Sequence, residues 1–304
     1  MSSPYRDDFR IKAYTFGHGA KTLAIVGAMR GDELQQQYVA ARLVDAFGQL
    51  EAKGQISEGI SISVIPSVNP FSMNIEKRFW ALDNTDINRM FPGYDLGETT
   101  QRIAAGLFEF IQEFRYGIQL ASYYLPGNFV PHVRVIETGT GFEDLSLGRH
   151  FGFPYVTTRK PAPFDTVLLN YNWQIWDTQA FSLYAGTTDV IDPAAARQSI
   201  EGILRFVLAM GMVSGVELPQ AFDSEIVDED QLAVLQAPHA GILMDVAEAG
   251  SIVTRGQTVG RILHPYQGHI VAEVQSPCDG MVFFARNKSI TYQNTILMRI
   301  KPIV

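Results

Sequence analysis

The stretch Ile25-Val26-Gly27-Ala28-Met29-Arg30-Gly31-Asp32-Glu33 constrains this chain more than any other. The apolar run from Thr22 to Val26 is short and bounded by glycine, as a strand buried in a parallel sheet should be. A glycine-bearing turn follows, and then a helix from Leu34 to about Phe47. Strand-to-helix crevices of this kind are where open α/β sheets place their ligands. Arg30 and Glu33 therefore stand where chemistry is expected.

The alternation continues along the chain. Residues 10–16 read as a first strand, closed by the turn Gly17-His18-Gly19, and Ile60 to Pro66 reads as another strand after the break at Lys53-Gly54-Gln55. Thr99 to Phe114 has helical period, with Ile103, Leu107, Phe108 and Ile111 on one side. Phe181 to Gly186 reads as a late strand, and Asp192-Pro193 opens a helix running to about Met210. Residues 139–172, rich in glycine, phenylalanine and proline, predict a short helix and a loop over the cleft. Strands alternating with helices imply a sheet with helices packed on it.

The loop Ser67 to Asp95 is long for a compact domain, and loops of that size are usually functional. It carries Asn69-Pro70, Arg78-Phe79-Trp80 and Asp86-Ile87-Asn88-Arg89-Met90-Phe91-Pro92-Gly93. Its arginines suit bidentate capture of a carboxylate. The alternative is a loop tied down by internal arginine salt bridges.

Past residue 216 the texture changes. Residues 217–231, with Pro219 and the acidic run Asp228-Glu229-Asp230, read as a linker. Residues 232–304 read as short strands and glycine turns in two similar halves, Ala237-Pro238-His239-Ala240-Gly241-Ile242-Leu243 and Ser276-Pro277-Cys278-Asp279-Gly280-Met281-Val282.

Composition narrows the function. The 304-residue chain has a net charge of -8 and no Lys/Arg-rich tract, which argues against nucleic acid as a partner. One cysteine, Cys278, excludes an intrachain disulfide and a thiolate zinc site. No apolar run reaches the roughly 18 residues of a membrane span. The polar start Met1-Ser2-Ser3-Pro4 is no secretory signal, so a cytoplasmic protein is expected.

The motifs resemble those of the succinylglutamate desuccinylase/aspartoacylase family of the zinc carboxypeptidase clan. That family carries Gly-x-x-His-Gly-x-Glu where this chain has Gly27, Arg30, Gly31 and Glu33, and its histidine and glutamate bind zinc. The segment Asp86 to Gly93 matches the family's Asp-x-Asn-Arg-x-Phe-Pro-Gly. The resemblance implies that Arg78 polarises a carbonyl and that Asn88 and Arg89 grip a substrate carboxylate. The family's third zinc ligand lies in Asp-Leu-His; here Gln119-Leu120-Ala121 stands in its place, and Ala121 has no donor atom. The family's general-base glutamate falls on Tyr184, a phenol with a reference pKa near 10. The second half resembles the small β-barrel of biotinyl- and lipoyl-carrier domains. No lysine lies between Lys160 and Lys288 to carry a lipoyl or biotinyl group, so none is expected. The barrel is expected to cover the cleft or to join copies into a homo-oligomer.

The resemblance implies an α/β fold over residues 1–216, a zinc-carboxypeptidase-like mixed sheet flanked by helices, and a small all-β barrel over 232–304. Glu33 is the one family metal ligand retained, since a guanidinium at Arg30 offers a metal no lone pair. Arg30 is expected to pair with Glu33 or Asp32 and to fill the metal's volume with fixed positive charge. His132 is the candidate for rebuilding a metal site, against a histidine hydrogen-bonded to backbone.

Three readings of function follow. The first is a protein with a degenerate zinc site that binds a small carboxylate or N-acyl amino acid through Arg78, Asn88, Arg89 and Arg30, with no cofactor. The second is a working amide or ester hydrolase using Glu33 and His132, with zinc if a site is rebuilt. The third is a non-catalytic interaction protein assembled through its barrel.

Overall fold

A computed structural model describes residues 8–303; the N-terminal segment read above for a signal lies, up to Asp7, outside these residues. The chain is a mixed α/β protein with a large sheet flanked by helices and further antiparallel sheets toward its C-terminus. Strands β1 (Tyr14–Phe16), β2 (Gly19–Ala28), β3 (Gly59–Ser67), β4 (Tyr116–Leu120), β6 (His132–Ile136), β7 (Tyr155–Arg159), β8 (Gln179–Tyr184) and β9 (Glu225–Asp228) build the large sheet. Their order is β1-β3-β2-β4-β8-β6-β7-β9. A short strand β5 (Gly127–Phe129) leaves this sheet and joins the C-terminal part.

Both faces of the sheet are covered, which is why β2 and β4 read as continuous apolar runs. On one face lie α1 (Leu34–Ala52) and α6 (Pro193–Ala209), with Phe47, Phe151, Phe181 and Phe206 in the core. The other face is covered by α3 (Thr99–Ile111) and α5 (Leu169–Ile175), with Trp80, Phe91, Leu107 and Trp173 buried. Single-turn helices α2 (Pro70–Met73) and α4 (Leu145–Gly148) complete the set. Asp192 caps α6 through its side chain, accepting from the backbone N–H groups of Ala194 and Ala195, with Pro193 in the first turn.

Local expectations shift in four places. The first strand is confined to Tyr14–Phe16, where Thr15 and Ser63 share a hydroxyl hydrogen bond of 2.8 Å across the pair; Arg10 and Lys12 lie outside it. Helix α1 runs past Phe47 to Ala52, because a side chain at Gly48 would meet only the Phe16 ring, and it ends at Gly54 in a left-handed conformation. The segment 139–172 holds, besides its short helices, the buried strand β7, whose Val156 and Thr157 are closed on both faces. Within the expected linker 217–231, Glu225–Asp228 forms β9, the edge strand parallel to β7, because alternate residues of that short run point Val227 into the core.

The C-terminal strands are β10 (Ala233–Gln236), β11 (Gly241–Met244), β12 (Ile252–Val253), β13 (Thr258–Leu263), β14 (Ile270–Gln275), β15 (Gly280–Arg286), β16 (Ile290–Thr291) and β17 (Ile296–Pro302). They form two sheets, β10-β17-β15-β12 and β14-β13-β11-β16, around Val259, Ile262, Val282, Leu297 and Ile300. Strand β5 pairs antiparallel with β15, Phe129 opposite Phe284, so a backbone ladder ties the two parts of the chain together.

Gly31 shows how tightly the turn after β2 is drawn in. A Cβ there would stand 2.2 Å from the Lys77 carbonyl oxygen and 2.6 Å from the Ser72 carbonyl carbon. Both neighbours are backbone and cannot rotate away. Gly31→Ala is expected to lower stability by about 1–3 kcal/mol, read from the midpoint of urea unfolding; an unchanged midpoint would show that the loop yields.

Candidate functional site

The sheet order reverses at β2, with β3 on one side and β4 on the other. A crevice opens at such a switch point beyond the carboxyl ends of the strands. Here it is a cavity of about 390 Å³ lined by Arg30, Asn88, Arg89, Ser122, Arg134 and Tyr184, among others. A recess of about 40 Å³ shares these residues except Arg89 and adds Gln119, Asn170 and Ser182.

Arg30 stands at the centre and is 5 % exposed. Its Nη1 donates to Glu33 Oε1 at 3.0 Å, and its Nε and Nη2 both donate to Asp86 Oδ2, at 3.1 and 2.8 Å. The expected pairing with Glu33 is present. Asp32, the other expected partner, turns instead to Arg78, 2.8 Å from its Nη1. Glu33 is 1 % exposed and accepts on both oxygens. Oε2 takes the backbone N–H groups of Met29 and Arg30, and Oε1 takes the Ser122 hydroxyl at 2.5 Å as well as the guanidinium. Burial alone would lower the Arg30 pKa; attraction to Glu33 and Asp86 outweighs it and raises the value.

The loop residues take distinct places. Asp86 accepts from the Asn88 backbone N–H at 3.1 Å, which seats Ile87–Arg89 as a 3-10 turn at the cavity wall. Asn88 Oδ1 accepts from Gln119 at 3.0 Å, and Gln119 in turn accepts from Asn170 at 2.8 Å. Gln119 thus does structural work where the family has an aspartate. Arg89 lies over the Tyr124 ring, 4.6 Å from its centre, and its Nε is buried without a hydrogen-bond partner. Arg78 is held by Asp32 and by the Tyr123 carbonyl, 2.9 Å away, and is not among the residues lining the cavity.

Tyr184, at the end of β8, accepts from Arg134 Nη1 at 2.6 Å. Arg134 also donates to Tyr123 Oη at 2.9 Å and to Glu229 Oε1 at 2.5 Å. Glu229 accepts from Thr157 too, and its other oxygen stands 3.9 Å from Arg159 and 3.7 Å from Arg299. Asp165 holds Arg159 with two bonds of 2.6 Å. Burial would raise the Glu229 pKa, but Arg134 and its neighbours bring it down to about 2.

Sequence reasoning missed this cluster. Glu229 sat within the acidic run read as a linker. Arg134, flanked by Val133 and Val135, gave a signal in being a charge inside an apolar strand. Arg299 comes from β17, so the C-terminal sheets contribute directly to the cavity wall.

His132 is fully buried and stacked on Tyr184, ring centres 4.8 Å apart. Its Nδ1 donates to the Val130 carbonyl at 2.8 Å, since a carbonyl only accepts. His132 is not among the cavity-lining residues. A catalytic zinc needs about three lone-pair donors. This position offers one carboxylate already holding four N–H or O–H donors, with Ala121 beside it, so the residues present do not fit the metal. Among the described residues no three His, Cys, Asp or Glu side chains gather as a metal would require, and no helix is long and apolar enough to cross a membrane.

A family model described as the succinylglutamate desuccinylase/aspartoacylase catalytic domain matches residues 19–136. A curated relative, N-alpha-acetyl-L-2,4-diaminobutyric acid deacetylase of Halomonas elongata, is 21 % identical over 255 residues, 79 % of this chain and 70 % of that protein. A succinylglutamate desuccinylase from Silicibacter sp. TM1040 superposes with a TM-score of 0.83 at 17 % identity, over 97 % of this chain and 89 % of that one. A succinylglutamate desuccinylase/aspartoacylase from Rhodobacter sphaeroides gives 0.82 at 18 %, with the same coverage. At these identities the structures establish a shared fold.

Acid should loosen this site in two stages. Burial, with Arg134 nearby, lowers the His132 pKa from 6.5 to about 3. Between those values the unfolded chain binds a proton that the folded one refuses, so stability falls as pH drops below about 6.5. Glu229, depressed from 4.5 to about 2, adds a second loss as pH falls through that lower window. Denaturant unfolding from pH 8 to pH 4 should show the first loss in the native protein and not in His132→Gln. A variant with the same slope as the parent between pH 6.5 and 4.5 would place the titration elsewhere.

Proposed function

We propose, on the premise that residues 19–136 belong to the succinylglutamate desuccinylase/aspartoacylase family, that the cleft binds a small carboxylate-bearing molecule of the N-acyl amino acid kind without hydrolysing it by zinc chemistry. One observation carries this reading. The Arg30 guanidinium, which the motif resemblance aligns with the family's first histidine ligand, is buried at the cleft and bonded to Glu33 and Asp86. It supplies a permanent positive charge there but cannot acidify a water as zinc does.

Within that reading the four arginine and asparagine positions divide their work. Arg89 is the ligand anchor, because its Nε makes no hydrogen bond, Asp86 stands only within ion-pair distance of it at 3.8 Å, and Tyr124 supports its flat face. Asn88 stands beside it, its carbonyl end already taken by Gln119, so its amide N–H₂ is the end left for a ligand. Arg30 acts as fixed charge behind them. Arg78 acts at one remove, bracing Asp32 and the chain at Tyr123. The name of the Halomonas relative, a deacetylase of an N-acetylated diamino acid, supports an N-acyl amino acid as the ligand class.

The hydrolase reading asks Glu33 to take a proton while it already holds four donors, and asks His132 to reach it from its stack on Tyr184. Both demands favour binding over turnover.

Calorimetric titration with N-acetyl amino acids should give saturable binding that weakens about 10- to 100-fold in Arg89→Ala, the effect of losing a charge-assisted hydrogen bond. Equal affinity in the variant would remove Arg89 from the site. Mass spectrometry of protein purified without a histidine tag should find well under one zinc per chain. About one zinc per chain, lost on mild chelation together with deacylase activity, would overturn the proposal.

A further inference from the structure

Arg286, at the end of β15, contrasts with the arginines of the cleft. Arg30, Arg134 and Arg159 each face a carboxylate and have raised pKa values. Arg286 has its pKa lowered by burial, and no attraction offsets the shift. Its Nη2 donates to the Ile290 carbonyl at 3.0 Å. Its Nε is buried with no hydrogen-bond partner, and among the described residues no carboxylate lies within ion-pair reach of it. A buried guanidinium N–H with no acceptor is costly unless something fills the place of the missing partner.

A pocket of about 230 Å³ lies against this side chain. Asn128 of β5 forms one wall, Lys288 and Ser289 another, and Leu243 and Val246 give an apolar floor. Glu248 also lines it, but forms no ion pair with Arg286 or Lys288 among the described residues. Two cations, the amides of Asn128 and Asn287 and one hydroxyl, against the single carboxylate of Glu248, around a partly apolar pocket suit a small oxyanion carried on an apolar stem. The pocket lies at the β5–β15 ladder, where Asn128 pairs with Ala285 and Gly127 with Arg286. It shares no lining residue with the cleft.

We propose that this pocket is a second ligand site, separate from the cleft, in which Arg286 and Lys288 bind a small oxyanion, phosphate or carboxylate, borne by a larger molecule. Because β5 follows directly on the cleft-lining residues Tyr123 to Leu125, an anion held here sits against the strand next to the cleft wall.

The test uses the full chain carrying Arg89→Ala, so that anion binding in the cleft does not obscure the result. It is dialysed free of oxyanions and titrated with inorganic phosphate and, separately, with acetate, reading heat and melting temperature. Saturable binding of at least one anion is expected, and the tighter of the two identifies the headgroup. Adding Arg286→Gln should weaken it about 10-fold or more, and Lys288→Gln several-fold. In anion-free buffer the Arg286→Gln chain should melt no lower than its parent, because the uncompensated charge is gone. Titration curves unchanged by both substitutions, or no saturable binding of either anion by the parent, would overturn the proposal. Neither result bears on binding of N-acetyl amino acids in the cleft, which is measured in the chain with Arg89 intact.

Discussion

The ion cluster of Arg30 with Glu33 and Asp86 is the interaction on which the cleft depends. It joins the turn after β2 to the long loop, two segments 56 residues apart in sequence. Two anions and one cation are buried together, and each charge is tolerable only in the presence of the others. Asp86 also holds the turn that presents Asn88 and Arg89. The guanidinium therefore shapes the cavity wall as well as setting its charge. Gly31, pressed against the Lys77 carbonyl, lets the two segments close far enough for the bonds to form.

A second cluster plays the corresponding part on the other wall. Arg134 reaches from β6 to Tyr184, Tyr123 and Glu229 at once. Glu229 follows directly on β9 and draws Arg159 and Arg299 toward itself. The C-terminal sheets are thereby joined to the cleft, through Arg299 and through the β5–β15 ladder. Detaching the C-terminal sheets would unpair Phe129 from Phe284 and leave Glu229 short of a partner. The two parts of the chain are energetically one site.

The architecture was legible because it is written in local patterns. The buried strand before Gly27, the helical period of 99–114, of which Thr99–Ile111 is helix, and the Asp192-Pro193 cap each follow from a few adjacent residues. The clusters were not legible in the same way, because their members are joined only by the fold. Arg30 could be placed at the cleft from its own motif, but its choice of Asp86 over Asp32 depends on where the long loop turns back. Glu229 looked like a solvated charge in an acidic run, and only the pairing of β9 with β7 carries it inside. His132 looked available in sequence because nothing nearby foretold the Tyr184 ring from β8 lying flat against it.

The same clusters set what a metal-binding side chain would disturb at these positions. A histidine at position 30 would remove the three guanidinium hydrogen bonds and leave buried Asp86 with only Arg89, 3.8 Å away, as a cationic partner. Ala121 would still offer nothing to a metal. A second histidine at position 121 would enter the cluster of Phe129, Tyr184 and Phe284, where only a methyl group is now accommodated. Gln119 would remain committed to Asn88 and Asn170. The fixed charge at Arg30 therefore does two things at once: it places a permanent cation at the cavity wall, and it holds the turn after β2 against the long loop.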